Sequence, residues 1–171
     1  MWLVNPVRLW NVALTSWKPA RHSLRFGLRS DAMTQQHSLQ VSPGQNLSVP
    51  ATQSTPSVEA DWSAGFLQMA GESYPENTYD IFSDIINWVE LYLDHADSPL
   101  RLELHLNYLN TSSIRAMIDI FDMLQNAFES GRELAVDWLY DSRNPRSAEL
   151  GEEFKEDYTF DFTITAAPFV E

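Results

Sequence analysis

Leu100, Leu102, Leu104 and Leu106 alternate with Arg101, Glu103, His105 and Asn107, the period of a strand with one buried face. Leu134, Val136, Trp138 and Tyr140 repeat that alternation, and Phe160, Phe162 and Ile164 mark a last strand. Upstream, Phe82, Ile85, Ile86, Val89 and Leu93 fall at helical spacing, with Asp80, Asp84, Asn87 and Asp94 elsewhere on the wheel. Ser73-Tyr74-Pro75-Glu76 matches a capping box, so this first helix is expected to open there and run to about Leu93. A second helix is predicted from about Ser113 to Ser130, with Gly131 as its stop, and Asn144-Pro145 opens a third that runs through about Asp157. Near the start of the ordered region, Pro56–Glu59 and Phe66–Gly71 flank Trp62-Ser63-Ala64-Gly65 as the arms of a hairpin. The predicted order is β-β-α-β-α-β-α-β: an α/β fold with a mixed sheet of about five strands and three main helices. Strands joined through helices of this length favour parallel neighbours with right-handed crossovers, and the clean alternation implies that helices cover one sheet face more fully than the other.

Composition divides the chain into three parts. Residues 1–32 carry five bases and one acid, and Pro6, Arg8, Asn11 and Lys18 interrupt any run apolar enough for a signal peptide or a membrane span. This leader reads as an upstream extension before a functional start at Met33; a membrane-surface anchor is the alternative. Residues 33–53, rich in Gln, Ser, Pro and Asn, read as a flexible linker, and residues 54–171 as the folded domain. The whole chain has 11 basic and 24 acidic residues, so removing the leader leaves six against 23, a net charge of −17. Such a domain repels phosphate backbones and anionic lipid, which makes nucleic acid a poor partner. With no cysteine there is no disulfide framework, thiolate metal site or cysteine nucleophile, in keeping with a cytoplasmic protein.

Tyr108-Leu109-Asn110-Thr111-Ser112-Ser113-Ile114 places three hydroxyls at a strand-to-helix junction. A helix start leaves N–H groups unpaired and carries partial positive charge, so it accepts a capping hydroxyl and a phosphate alike. Thr111 or Ser113 as a plain cap and Thr111, Ser112 or Ser113 as a phosphoacceptor are both compatible with the spacing. In the second helix Ile114, Met117, Ile118, Phe121, Leu124 and Phe128 form one apolar stripe, and Ala116, Ile120, Met123 and Ala127 a second. Together they span roughly 220° of the wheel, wider than one sheet contact needs. The surplus points to a partner surface made of Asn110, Thr111 and Ser112 with Ala116, Ile120 and Met123; contact with the first or third helix competes for the same stripe. The pairs Glu152/Glu153 and Asp119/Asp122 come with no base or nucleophile, the four histidines share no metal-ligand spacing, and no Gly-rich phosphate loop is present, so neither enzyme activity, a metal nor a cofactor is expected.

Four segments in this order, Ser73-Tyr74-Pro75-Glu76-Asn77, the Tyr108–Ile114 run, Ile118-Asp119-Ile120-Phe121-Asp122 and Glu152-Glu153-Phe154-Lys155-Glu156-Asp157, resemble the SiaC family of regulatory phosphoproteins over about Gln53 to Thr165. The resemblance implies a STAS-like fold, the class of the anti-sigma-factor antagonists. It also implies control of bacterial aggregation and biofilm formation, by binding and activating a diguanylate cyclase in the unphosphorylated form. It implies further that a cognate protein kinase phosphorylates Thr111 and that a PPM-type phosphatase reverses this. STAS antagonists usually carry Asp-Ser-Ser-Gly at the junction, where this chain has Asn110-Thr111-Ser112-Ser113. An anti-sigma factor antagonist is thereby less favoured, and it stands as the alternative binding role. A small hydrolase using the Thr111–Ser113 hydroxyls is the alternative of another class.

Overall fold

The leucine alternation does become a strand, and it lies in the interior of the sheet. The computed structural model describes residues 41–167, so the leader and the first part of the expected linker lie outside the described residues. The elements are β1 (Leu47–Val49), β2 (Ser57–Asp61), β3 (Phe66–Ser73), α1 (Tyr79–His95), β4 (Leu100–Leu109), α2 (Thr111–Glu129), β5 (Leu134–Asp141), α3 (Pro145–Asp157) and β6 (Asp161–Ala167). They form one six-stranded sheet in the order β1-β2-β3-β4-β5-β6. β1, β2 and β3 pair antiparallel, and β3 through β6 are parallel.

Because successive parallel strands lie side by side in chain order, right-handed crossovers deliver α1, α2 and α3 to the same face. Burial follows that geometry: Leu100, Leu102, Leu104 and Leu106 are buried, while Arg101 and Asn107 are exposed and Glu103 and His105 half-buried. Polar bonds cross the open face, from Gln68 Nε2 to Glu103 Oε1 at 2.7 Å and from Arg101 Nε to Asp137 Oδ2 at 2.6 Å. On the covered face, Phe121 of α2 meets Phe154 of α3 and Phe162 of β6 edge-on. Each ring of this size buries a large apolar area.

The sequence expectation differs from the structure in three places. The sheet has six strands, and the extra one, β1, lies in the segment expected to be linker. Three residues are too few for a period to be read, yet Leu47 is buried opposite Ala60 and the Trp88 indole donates to the Gln45 carbonyl at 2.8 Å. The capping box does not form: Ser73 is the last residue of β3, and α1 opens six residues later, at Tyr79, with Thr78 in the cap position. The strand register holds Ser73, since its carbonyl accepts from the Asn110 N–H at 2.9 Å. Finally, Asp84, placed by the wheel among the polar positions, is buried on α1.

Candidate functional site

The β3 and β4 strands end side by side, with Ser73 opposite Leu109, so the chain leaves both at the same edge of the sheet. A register shift between Gly71 and Glu72 leaves Asn107 of β4 without an opposite residue, and the strict alternation of β4 breaks there. Leu109 turns inward instead of Tyr108, whose ring is 53% exposed. The junction that follows is built around Asn110. Its Oδ1 accepts from the Ser113 N–H at 2.8 Å and the Ser112 hydroxyl at 2.9 Å, and its Nδ2 donates to the Pro75 carbonyl at 3.3 Å. Asn110 is therefore the cap, in place of Thr111 or Ser113. An aspartate could not make the Pro75 bond, which gives a physical reason for the amide where the antagonist motif has an acid.

The three hydroxyls are sorted by their surroundings. Ser113 is fully buried and accepts from the buried Ser73 hydroxyl at 2.9 Å. Ser112 is exposed, but its hydroxyl is held by Asn110 and lies 2.6 Å from the Thr78 hydroxyl, bridging the starts of α1 and α2. Thr111, the first residue of α2, is exposed, and its hydroxyl bonds to none of the described residues. Among the described residues no histidine or carboxylate joins these bonds.

Thr111 stands on a ridge between two grooves. One, of about 400 Å³, runs between α2 and α3 and is lined by Tyr108, Thr111, Ile114, Arg146, Glu149 and Leu150 among others. The second, of about 460 Å³, runs between α1 and α2 past Tyr79, Phe82, Ile86, Ser112 and Arg115. The exposed large apolar side chains among the described residues are Tyr74, Tyr79 and Tyr108, and all three belong to this end of the sheet. Tyr79 is 72% exposed, and Tyr74 and Tyr108 touch edge-on at 6.0 Å.

The apolar stripe expected to meet a partner is placed differently. Ala116 is 7% and Ile120 1% exposed, and Met123 is half-buried against the core. The α2 helix packs on α1, so the second stripe is largely covered within the domain. A 220° apolar arc is what a helix needs when it touches both a sheet and a neighbouring helix. Ala116 keeps only an edge on the α1–α2 groove. Sequence spacing alone does not reveal the register shift that turns Tyr108 outward.

The Ser73–Ser113 bond offers a test of how this junction is held. Ser113→Ala should cost about 1–3 kcal/mol, because the Ser73 hydroxyl then stays buried without its acceptor. In urea titrations the double change Ser73→Ala/Ser113→Ala should cost less than the sum of the single changes; strict additivity would contradict the pairing.

The family model for the SiaC family regulatory phosphoprotein matches residues 49–167. The chain belongs to the SiaC family. A protein of Pseudomonas aeruginosa (strain UCBPP-PA14) is 54% identical to it over 121 residues, which cover 71% of this chain and 96% of that protein. The solved structure of SiaC of Pseudomonas aeruginosa superimposes with a TM-score of 0.69 at 51% identity, over 72% of this chain and 99% of that one. A further solved structure from the same organism, diguanylate cyclase SiaD in complex with its activator SiaC, matches with a TM-score of 0.69 at 54% identity, over 71% of this chain and 99% of that one. The SiaC-family match begins at the last residue of β1, so β2 through β6 and the hydroxyl junction fall inside it. No helix among the described residues of this SiaC-family chain is long and apolar enough to cross a membrane.

Proposed function

We propose that this chain is a non-enzymatic phospho-switch of the cytoplasm. Its unphosphorylated form binds and activates a diguanylate cyclase, and so controls aggregation and biofilm formation through cyclic di-GMP. A cognate kinase phosphorylates Thr111 and a PPM-type phosphatase restores it. The observation that carries the reading is the sorting of the hydroxyls: Ser113 is buried and Ser112 is held, while Thr111 is exposed and unbonded amid three exposed tyrosines. A kinase must reach and deprotonate its acceptor, and Thr111 asks for no broken bond. The complex of the Pseudomonas aeruginosa relative with its cyclase favours a cyclase over a sigma-factor regulator as the target.

The docking surface in this reading is the tyrosine collar with Asn110, Thr111 and Ser112, in place of the largely covered Ala116, Ile120 and Met123 stripe. Tyrosines on a rigid scaffold carry large contact area at low entropy cost, which suits them to anchor a partner. Phosphate on Thr111 adds about 1.5 to 2 negative charges and three acceptor oxygens in the middle of that surface. The strand order progresses without reversal, so no switch-point crevice of the nucleotide-binding kind exists at this end, and a protein partner fits better than a small ligand.

The test is cyclase activity. Unmodified chain should raise the rate of cyclic di-GMP synthesis, and added kinase with ATP should remove the stimulation. Thr111→Ala should stimulate whether or not kinase is present. Loss of stimulation by kinase in Thr111→Ala would move the acceptor elsewhere.

A further inference from the structure

The two helices that flank the groove lined by Thr111 run in the same direction, because each follows one of two neighbouring parallel strands. The residues that follow α3 are bonded back to α2 lower down. Tyr158 Oη donates to Asp122 Oδ1 at 3.1 Å across 36 positions, and Gln125 Nε2 donates to Thr159 Oγ1 at 2.8 Å across 34. Thr111 is the first residue of α2 and Arg146 the second of α3, so each stands in the first turn of its helix. Both residues line the same groove. Glu149 and Glu153 line the same groove about one and two turns further along α3, so the acids occupy the lower part of its wall.

The nearby cations are committed differently. Arg143 forks onto Asp141, with Nη2 to Oδ2 at 2.7 Å, and its hydrogen bonds hold that carboxyl down at about 2. Arg115 pairs with Asp119 at 3.3 Å on the exposed side of α2. Arg146 is exposed and bonds to none of the described residues. A guanidinium is the side chain that best matches a phosphate dianion, by paired N–H donors as well as charge.

We propose that a phosphoryl group on Thr111 is taken up within the chain by Arg146, across the top of the α2–α3 groove. This rests on the reading of Thr111 as the modified residue and adds the group that receives the phosphate. Glu149 and Glu153 repel the anion from the lower groove and direct it to the Arg146 end. The modified chain then differs in shape as well as charge, because the first turn of α3 becomes tied to the first turn of α2 beside Tyr108.

The experiment uses the full chain with phosphothreonine installed at position 111 and follows the second phosphate ionisation by ³¹P NMR. An unpaired phosphothreonine titrates near 6, and the guanidinium should depress this by about half a unit or more. Arg146→Gln should raise it by about that amount toward the unpaired value, and Arg115→Gln should leave it depressed. No depression in the parent chain, no change with Arg146→Gln, or a return caused by Arg115→Gln instead would each overturn the pairing. Cyclase binding measured on the same proteins keeps the two questions apart. Equal binding with and without phosphate sinks the phospho-switch itself, whereas an unmoved ³¹P titration sinks only the role of Arg146.

Discussion

Alanine in place of Gly65 should destabilise the domain by about 3 kcal/mol. Gly65 sits in the turn between β2 and β3 at φ 61°, where a side chain is disfavoured by roughly 1–2 kcal/mol. An added Cβ would also run into the Pro99 carbonyl oxygen and the Tyr92 hydroxyl. Those two groups are themselves bonded at 3.1 Å, and Tyr92 stacks on Trp88 and meets Trp62 edge-on, so neither can move without disturbing the aromatic cluster under α1. The backbone cannot shift freely either, since the Gly65 carbonyl accepts from the Arg101 N–H at 2.8 Å and fixes the start of β4. Urea unfolding should show a lower midpoint at unchanged slope. Gly131→Ala is the control: φ is 95°, but nothing lies within 4 Å of where a Cβ would stand, and the cost should be about 1 kcal/mol. Equal effects at the two positions would contradict the packing argument.

Removing the tyrosine collar should weaken cyclase binding without loss of fold. Tyr79 and Tyr108 are 72% and 53% exposed, so alanine at either creates no cavity in the core. Each ring is expected to act as an anchor worth about tenfold in affinity, and the double change Tyr79→Ala/Tyr108→Ala about 100-fold. Titration calorimetry against the cyclase reads the loss directly, with circular dichroism confirming the unchanged fold. Full affinity in the double variant would place the interface elsewhere. The earlier candidates make a contrast: Ile120→Ala should lower stability by about 2–5 kcal/mol, as for any buried aliphatic side chain.

Much of this fold was legible because its signals are long. The Leu100–Leu106 alternation, the wheel of α1 and the Asn144-Pro145 start of α3 each involve several residues that agree with one another. The features that escaped are short or depend on distant partners. β1 has a single buried leucine, and only its pairing with β2 reveals it. Ser73 looked like a helix cap because local sequence offers Glu76 three positions on; the carbonyl of Ser73, however, is engaged by Asn110, a residue 37 positions away. At the junction, the residue types were readable but their division of labour was not. Which hydroxyl is free depends on Thr78, Asn110 and Ser73 converging from three elements, and spacing along one element carries no trace of that.

The affinity of the cyclase for this chain with and without phosphate on Thr111 tests the central claim most directly. With homogeneous protein of each form, the account predicts that the unmodified chain binds and that one phosphate weakens binding at least tenfold, by about 1.4 kcal/mol or more. Equal affinity of the two forms would contradict it.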